Sequence, residues 1–472
     1  MNELWHTLQP HFSYWLPLLW FAYLIGLGGW IVLQKREPIA TVSWLLSLAL
    51  LPVLGLLIYH FFGPQRIKRQ RLKRLRARSL LGDGKDRKAL FAEGSPLMRL
   101  AFGSSGFPPS HCQHVQLLVD GGATYDALLA AIAAASHHVH LEYYIFEPDR
   151  TGTLLRDALI ERARAGVTVR LLLDALGSSH ISERFLAPLR AAGVEVGFFH
   201  RIRWRLRGLW QPKLNLRSHR KIVIVDGRVG FTGGINITDD ENERFNAAAY
   251  HDLHLRMDGE AVRWLQLAFL EDWTYACSRV PKDEGLWPEQ DAGAIAAQVL
   301  PAGPDSPWET IHRTLLAAIG QAKRRVWLAT PYFVPGEAAR MALTSAALRG
   351  LDVRLLVPER SDSRLVTAAA RSYFGELMAA GVRVFEYPRM LHTKALLVDD
   401  DTCVLGSSNF DNRSFRLNFE LCVLFEDKGV AGALETILAG DLERAREVPH
   451  DRGIGLPQRL AEAVARLLSP LL

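Results

Sequence analysis

Apolar residues are distributed along this chain in two ways, and each predicts a different kind of structure. Near the start, residues 12–33 and 39–59 contain no charged side chain, and each run is long enough to cross ~30 Å of hydrocarbon as a helix. From residue 115 onward, short β-branched runs alternate with longer segments rich in alanine and leucine, a pattern typical of alternating strands and helices. The first strands are predicted at 115–119, 139–146 and 167–173, and the first helices at 124–135 and 154–165.

The two N-terminal apolar runs are predicted to form a transmembrane hairpin over residues 1–64. A cleaved signal peptide is the alternative for the first run, but no basic segment precedes it and no small-residue cleavage pattern follows it. Eight basic residues and no acidic one lie between positions 66 and 78, whereas the loop between the runs has only Lys35 and Arg36 as basic residues. This asymmetry predicts that everything after the hairpin is cytoplasmic. The basic segment could also bind anionic lipid headgroups at the membrane surface.

The second half of the chain repeats the α/β pattern of the first half. Three segments recur at a nearly constant offset, which indicates an internal duplication. They are 139–141 and 326–328, 166–172 and 350–356, and 191–196 and 379–384. The predicted fold class is therefore α/β, with two similar domains at residues 111–290 and 291–446. Residues 65–110 are predicted to be a basic juxtamembrane segment and a linker. For the amphipathic tail, 447–472, contact with a bilayer and packing against the second domain are both open.

One arrangement of polar residues occurs in both halves. His219 is followed by Lys221 after two positions, Asp226 after seven, Gly233 after fourteen and Asn236 after seventeen. The same residue types recur at the same spacing as His392, Lys394, Asp399, Gly406 and Asn409. A pair of ordinary hairpins with surface histidines and lysines would not explain four equal spacings, so the two motifs are predicted to share one role.

The spacing indicates which of these side chains can act together. His219 and Lys221 share one face of an extended strand, so both can address one ligand. Asp226 lies at an odd offset and precedes a glycine, a strong hairpin signal, which favours a turn role for it. The return strand would bring Asn236 back beside His219. An imidazole, an ammonium and a carboxamide that converge near glycines suit a phosphate group, whereas the lysine would repel a metal cation.

Composition narrows the compartment and the partners. Of the 472 residues, 49% are apolar, which fits globular cores together with membrane segments. The net charge is +6, yet the segment 66–78 alone supplies eight positive charges, so the rest of the chain is nearly neutral. Scattered cysteines without a Cys-x-x-Cys pair predict buried thiols in a reducing compartment. They are Cys112, Cys277, Cys403 and Cys422.

The first half carries an insertion, because the stretch from Gly193 to His219 is more than twice as long as the equivalent stretch from Gly381 to His392. The insertion falls around residues 200–216 and alternates arginines with two tryptophans. That composition suits the boundary between lipid tails and phosphates, and equally a groove for single-stranded nucleic acid. A solvated basic loop is the third interpretation.

The duplicated His-x-Lys-x4-Asp-x6-Gly-x2-Asn pattern resembles the phospholipase D superfamily. Together with the N-terminal apolar runs, six segments are similar to bacterial cardiolipin synthases: 141–145, 218–223, 231–236, 409–414, 417–421 and 467–472. The resemblance extends from about residue 38 to the end and departs in the arginine-rich insertion, which leaves the headgroup preference open. It implies two tandem phospholipase D-like α/β sandwich domains related by a pseudo-dyad, with both motifs at their interface.

The resemblance also implies roles for individual residues. The catalytic residues would be His219, Lys221, Asp226, His392, Lys394 and Asp399, and the substrate-binding residues Asn236 and Asn409. Asp252 and Glu420, which follow the motifs of His219 and His392 in the chain, would orient the histidines by accepting a hydrogen bond from Nδ1. Surface acids on edge strands are the alternative. His219 is expected to be the nucleophile and His392 the general acid and base, without a metal or other cofactor.

The implied function is phosphatidyl transfer between two phosphatidylglycerol molecules, which yields cardiolipin and glycerol through a phosphohistidine. The partners would be membrane phospholipids and not nucleic acid, at a bacterial cytoplasmic (inner) membrane with the catalytic domains facing the cytoplasm. A hydrolytic phospholipase D, or a phosphatidyltransferase with another donor or acceptor, would carry the same motifs. A nuclease of the superfamily would not need two membrane spans, and a non-enzymatic membrane scaffold would not need two intact motifs.

Overall fold

The structure is a computed structural model, which describes residues 2–33, 38–51, 54–55, 59, 94–200, 216–290, 293–306 and 308–469. These residues form two compact units, one with the N-terminal helices and one with everything from residue 94 onward. The basic segment 66–78, nearly all of the arginine-rich insertion and the last three residues lie outside the described residues.

The described part of the N-terminal unit consists of α1 (Asn2–Val32) and α2 (Pro38–Leu50), together with a few residues beyond them. Ile31, Leu48 and Tyr59 are buried in one small apolar cluster. Within the described residues, no helix combines the length and the apolar composition that crossing a bilayer requires. The transmembrane hairpin therefore stays a prediction.

The larger unit contains two halves, each with its own main sheet. The strands up to residue 258 are β1 (Ser110–Cys112), β2 (His114–Val119), β3 (His138–Tyr143), β4 (Thr168–Asp174), β5 (Glu195–Phe199), β6 (Ile222–Val225), β7 (Val229–Gly233) and β8 (Leu253–Asp258). The later strands are β9 (Ile295–Ala302), β10 (Arg325–Ala329), β11 (Phe333–Val334), β12 (Asp352–Pro358), β13 (Arg383–Tyr387), β14 (Ala395–Val398), β15 (Thr402–Gly406), β16 (Phe410–Asp411), β17 (Glu420–Glu426) and β18 (Arg446–Glu447).

The two main sheets share one strand order. We call the half built on the sheet of β2 to β8 the first lobe and the half built on the sheet of β9 to β18 the second lobe. The sheet of the first lobe has the order β2-β8-β7-β6-β3-β4-β5, and the nine-stranded sheet of the second lobe contains β9-β17-β15-β14-β10-β12-β13. Strands β3, β4 and β5 are parallel, as are β10, β12 and β13, while the pairs β3 with β6 and β10 with β14 are antiparallel. Strands β1 and β18 extend the second sheet at its two edges. This equivalence confirms the predicted α/β class and the internal duplication.

Helices cover the outer faces of the sheets and fill the space between them. They are α3 (Pro96–Ser105), α4 (Asp120–Ala133), α5 (Arg150–Arg164), α6 (Glu183–Ala191), α7 (Ala261–Cys277), α8 (Thr310–Gln321), α9 (Glu337–Leu348), α10 (Arg364–Ala379), α11 (Asn412–Arg416), α12 (Lys428–Arg444) and α13 (Leu456–Leu467). A short 3-10 helix covers Asp239–Glu241.

Helix α3 lies within the glycine-containing stretch that was predicted to be a linker. The side chain of Ser95 caps it by accepting a hydrogen bond from Met98 N at 3.1 Å. Leu97, Met98 and Ala101 are buried in the core of the second lobe. The apolar face of this segment therefore outweighs its glycines, and part of the predicted linker, Pro96–Ser105, forms a helix that packs on the second lobe.

A single hydrophobic core joins the two lobes. Leu265 and Phe269 of α7 are fully buried, and the same core contains Ile224 of β6 and Leu397 of β14. Burial of so much apolar surface between the sheets holds the lobes as one body. We call the boundary between the two lobes the seam. Polar groups at the strand ends along the seam are therefore held in fixed positions.

Candidate active site

The two motifs begin just before hairpins and not inside strands. His219 and Lys221 lie in the extended segment that leads into β6, and His392 and Lys394 lie in the equivalent segment before β14. Strand β6 pairs antiparallel with β7, and β14 pairs antiparallel with β15. The predicted hairpins are confirmed, and each carries its histidine and lysine at the edge that faces the other lobe.

Asp226 and Asp399 lie at the hairpin turns. Their φ angles are 53° and 50°, the left-handed region that aspartate tolerates in tight turns. Asp226 accepts hydrogen bonds from three consecutive backbone N–H groups, 136–138, at 2.8–2.9 Å. Asp399 accepts them from 323–325 at 2.8–3.2 Å. Because each aspartate is at the strand end opposite its histidine, we propose no catalytic role for either.

Each motif is bonded through its backbone to the opposite lobe. His219 N donates to Phe419 O at 2.8 Å, and His392 N donates to His251 O at 2.7 Å. These contacts belong to two isolated parallel bridges across the seam. The residue that follows each acceptor is one of the two predicted orienting acids. Each motif histidine is therefore brought beside the acid of the other lobe.

His219 is held by Glu420. Its Nδ1 lies 3.0 Å from Glu420 Oε2 and 3.0 Å from the carbonyl oxygen of Ser407. The buried Glu420 also accepts hydrogen bonds from Ser407 Oγ at 2.5 Å and from Asn418 Nδ2 at 3.1 Å. Burial raises the pKa of Glu420, but His219 and Lys221 outweigh burial and leave the pKa below its ordinary value. An ionised Glu420 keeps the proton of His219 on Nδ1, which leaves Nε2 available to a ligand.

His392 is held by Asp252 in the equivalent way. Its Nδ1 lies 2.6 Å from Asp252 Oδ2, and Glu241 Oε1 lies 3.9 Å away. Burial and the neighbouring Lys394 hold the pKa of His392 well below its ordinary value. Burial also raises the pKa of Asp252, to about 6, although Lys394 opposes this shift. The sequence spacing relates Asp252 to His219 and Glu420 to His392, and the structure exchanges these partners.

The two motif lysines are buried beside the histidines. Lys221 Nζ donates to His219 O at 2.9 Å, and Lys394 Nζ donates to His392 O. Burial and the proximity of Lys394 lower the pKa of Lys221 to about 7. Burial likewise lowers the pKa of Lys394, although Asp252 opposes this shift. The two ammonium groups therefore repel each other, and the charge of an anion bound beside the histidines would offset that repulsion.

The two motif asparagines have unequal surroundings. Asn236 Nδ2 donates to Glu241 Oε1 at 2.7 Å, and its Oδ1 accepts from Ile145 N at 3.3 Å. One donor of Asn236 is therefore committed to its own lobe, and Glu241 is a buried acid that the motif spacing did not reveal. Asn409 is also buried, and both asparagines line a cavity between the lobes, which is described next.

A polar cavity of about 740 Å³ lies at the seam, and both motif histidines line it. The ring of Tyr144 lies 4.9 Å from that of His219, and the ring of Tyr250 lies 5.7 Å from that of His392. Asn236, Asn409 and Arg413 are among the described residues of its wall, whereas the two turn aspartates and the two motif lysines are not. Its volume is typical of small-molecule sites, and its wall can present a phosphodiester to both imidazoles.

Three of the buried groups could in principle ligate a metal ion. The donor atoms of Glu241, Asp252 and His392 all lie within 4.8 Å of one another. Lys394 Nζ lies 3.8 Å from Asp252 Oδ2 and would repel a cation there. We therefore interpret this cluster as the hydrogen-bond network that holds His392.

Arg220, the middle residue of the first motif, is a positioning residue that the sequence did not reveal. Its side chain is almost fully buried, and Nε donates to the backbone oxygen of Glu420 at 3.0 Å. Its guanidinium also donates to Ala302 O at 3.1 Å and forms an ion pair with Asp272. The second motif has Thr393 at this position, so only the first motif reaches the other lobe in this manner.

His251, directly before Asp252, links the lobes by charge. Its Nδ1 lies 2.7 Å from Asp120 Oδ1, and its Nε2 lies 2.8 Å from Asp441 Oδ1 on α12. Burial lowers the pKa of His251, but the hydrogen bonds to the two carboxylates outweigh it and raise the pKa to about 9. At neutral pH an imidazolium therefore bridges the lobes, next to the acid that holds His392.

The chain is similar to known proteins over most of its length. Residues 128–273 and 315–442 match the family model described as cardiolipin synthase, PLD-like domain. A cardiolipin synthase of Geobacillus kaustophilus is 39% identical over 463 residues, which cover 94% of this chain and 91% of that protein. Cardiolipin synthase 1 of Bacillus anthracis is 36% identical over 490 residues, which cover 96% of this chain and 93% of that protein.

A solved structure shares the fold at low identity. The phosphatidylserine synthase of Haemophilus influenzae Rd KW20 has a TM-score of 0.61, covers 80% of this chain and 100% of its own, and is 14% identical. That likeness supports the tandem α/β lobes alone. The family model covers most of both lobes, and the relatives extend over nearly the whole chain. The chain therefore belongs to the cardiolipin synthase family of the phospholipase D superfamily.

Proposed function

We propose that this enzyme of cardiolipin synthesis moves a phosphatidyl group from one phosphatidylglycerol to a hydroxyl of another, through a phosphohistidine. The observation that carries the proposal is the pair of buried histidine–carboxylate contacts, His219 with Glu420 and His392 with Asp252, on one cavity. Two imidazoles with fixed tautomers can divide nucleophilic and acid–base work on one phosphodiester.

In the first step, His219 Nε2 attacks phosphorus of the donor lipid. The bond from phosphorus to the headgroup glycerol oxygen breaks, and His392 gives that oxygen a proton, so glycerol leaves as a neutral alcohol. The low pKa of His392 disfavours the protonated ring with which this step begins. The negative charge of a bound phosphodiester would raise that pKa and so favour the protonated ring.

In the second step, the acceptor phosphatidylglycerol replaces glycerol. His392 takes the proton of its headgroup hydroxyl, the oxygen attacks phosphorus, and the bond between phosphorus and Nε2 breaks. Cardiolipin forms and His219 is regenerated. One phosphodiester is made for each one broken, so the exchange needs no nucleotide and runs in both directions.

The family resemblance assigns the nucleophile to His219, and the ionisation of its partner supports that assignment. Glu420 is held below its ordinary pKa, whereas the pKa of Asp252 is raised to about 6. The firmly ionised carboxylate stabilises the positive charge that develops on the attacking ring. Negative charge develops on the phosphoryl oxygens, and three side chains could stabilise it: Lys221, Lys394 and Asn409. Asn236 has one amide hydrogen left that could donate to the same oxygens.

Product analysis on pure phosphatidylglycerol bilayers tests the reaction. We expect cardiolipin and free glycerol in equal amounts, and added glycerol should suppress net cardiolipin formation by mass action. Isotopically labelled glycerol should enter phosphatidylglycerol. If phosphatidic acid is instead the main product, water is the acceptor and the enzyme is a hydrolase.

We further propose that the enzyme works at the bacterial cytoplasmic membrane, with residues 12–33 and 39–59 as its spans. The basic segment 66–78 supports a cytoplasmic catalytic unit, because such segments stay on that side. A reporter fused after Ser79 should behave as cytoplasmic, and one inserted at Glu37 as external. An external signal at Ser79 would contradict this topology.

A further inference from the structure

Helix α13 presents a row of large apolar side chains to the outside of the second lobe. The exposed fractions are 79% for Leu456, 63% for Leu460, 50% for Val464 and 78% for Leu467. Their spacing of four, four and three positions keeps them on one helical face. Large leucines at this exposure, in line over three turns, form an apolar stripe of the kind that marks an interaction surface.

The inner face of α13 is fixed to the lobe, so the stripe is held outward. Ala465 and Glu462 are buried, and Glu462 forms an ion pair with Arg452 at 2.6 Å. At the C-terminal end, Tyr373 OH of α10 donates to Ser469 Oγ at 2.9 Å. This stripe is therefore a built feature of the folded lobe and not a loosely packed terminus.

The charge around the stripe favours an anionic partner. Glu462, the acidic residue of this described helix, points inward to its arginine. Arg459 is exposed beside the stripe, and Arg466 lies on the same flank, where it also contacts Glu376 at 3.1 Å. The outer face of this described helix thus has leucines in the centre, arginines at the side and no outward carboxylate. Such a face is complementary to anionic phospholipid headgroups above their acyl chains.

The stripe is connected to the cavity through α10. Tyr373, which holds the end of α13, lies two helical turns beyond Val366, or about 10 Å along the helix. Val366 lines the cavity, and its neighbour Leu365 in the first turn of α10 is 40% exposed. Helix α10 therefore runs from the cavity wall to the packed end of α13, so a bilayer against α13 would contact the part of the lobe that also carries Val366 and Leu365.

We propose that the outer face of α13, formed by Leu456, Leu460, Val464 and Leu467, inserts into the interfacial layer of an anionic phospholipid bilayer and docks the second lobe there. This contact goes beyond the proposed reaction, since a transferase and a hydrolase acting on membrane lipid would both use it. The bilayer is a more complementary occupant than a second copy, because two such faces would bring their arginines together.

The test uses the full chain reconstituted into vesicles of phosphatidylglycerol and phosphatidylcholine, with an environment-sensitive fluorophore on Leu467→Cys. The matched control is Leu154→Cys, an exposed leucine of α5 in the first lobe. The parent chain, labelled in parallel, reports the background from the half-buried Cys277. We expect bromine-labelled acyl chains to quench the probe at position 467 about twofold or more and to leave the probe at position 154 unchanged.

A second measurement asks whether the contact serves lipid access. Leu460→Ser with Leu467→Ser should slow turnover of long-chain vesicles about fivefold or more, and turnover of a dissolved short-chain phosphatidylglycerol less than about twofold. Leu154→Ser, on an exposed leucine of α5 in the first lobe, should change neither rate.

Three outcomes would overturn the proposal. They are the absence of bromine quenching at position 467, a fluorescence change that depends only on the protein-to-lipid ratio and so identifies a second copy, and equal losses on both substrates. Phosphatidic acid in place of cardiolipin would refute the proposed reaction and leave this quenching result unaffected.

Discussion

Replacing either motif histidine by alanine is expected to lower turnover of phosphatidylglycerol by at least about a thousandfold, because each removes a different obligatory role. His219→Ala leaves no nucleophile at phosphorus, and His392→Ala leaves no group to protonate one alcohol and deprotonate the next. The control is His114→Ala, at an exposed histidine of β2, which should retain full activity. Initial rates on phosphatidylglycerol vesicles measure all three variants.

The two alanine variants should differ when the leaving group needs no proton. With a phosphatidyl ester of an acidic phenol, His392→Ala should release one equivalent of phenol in a burst and accumulate a phosphoenzyme, whereas His219→Ala should show no burst. An acid-labile, base-stable phosphoryl group on the protein would identify the phosphohistidine. Substantial steady-state activity in either variant, or a burst in His219→Ala alone, would contradict the assignment.

The second large effect is expected from the exchanged carboxylates. Glu420→Gln should impair phosphoenzyme formation, and Asp252→Asn should impair its resolution, each by about 10²–10⁴-fold. The reason is that an amide can hold the wrong imidazole tautomer, in which the proton is on Nε2. Glu420 acts on His219 and Asp252 on His392, although each acid follows the other histidine's motif in the chain.

Burst kinetics with the same phenyl ester show which carboxylate serves which histidine. Asp252→Asn should behave as a milder His392→Ala, with a phenol burst and slow turnover, and Glu420→Gln should lose the burst. Glu426→Gln, at the far end of the same strand β17, is the matched control and should stay within about twofold of the parent chain. The opposite pattern, with the burst lost in Asp252→Asn, would refute the exchanged pairing.

Features that depend on short stretches of chain were predictable from the sequence. The hairpin after each motif follows from alternation and a turn aspartate, and strand β2 was predicted at 115–119 and observed at His114–Val119. The first helix prediction, 124–135, overlaps α4 at Asp120–Ala133. Helix α3 was missed because it is short and has glycines within it and on both sides. These glycines obscured its capping serine and its apolar face.

Features that depend on burial between distant segments were not predictable. Arg220 Nε reaches the backbone oxygen of Glu420, 200 positions away in the chain, only because the two lobes dock. The charged state of His251 depends on Asp120 and Asp441, both of which are more than a hundred positions away in the chain. No local window contains both partners of such a contact.

The sequence by itself determined the chemistry and its duplication. Equal spacings place an imidazole, an ammonium and a carboxamide at the same relative positions in two motifs. The nearly constant sequence offset between the segments that flank the motifs revealed two copies of one α/β unit. The tertiary structure alone decided which acid serves which histidine. That choice is made where the lobes dock, because the backbone bridges from His219 to Phe419 and from His392 to His251 carry Glu420 and Asp252 across the seam. Side-chain alternation can assign a residue to a face within one lobe, but it holds no information on which strand end of the other lobe will meet that face.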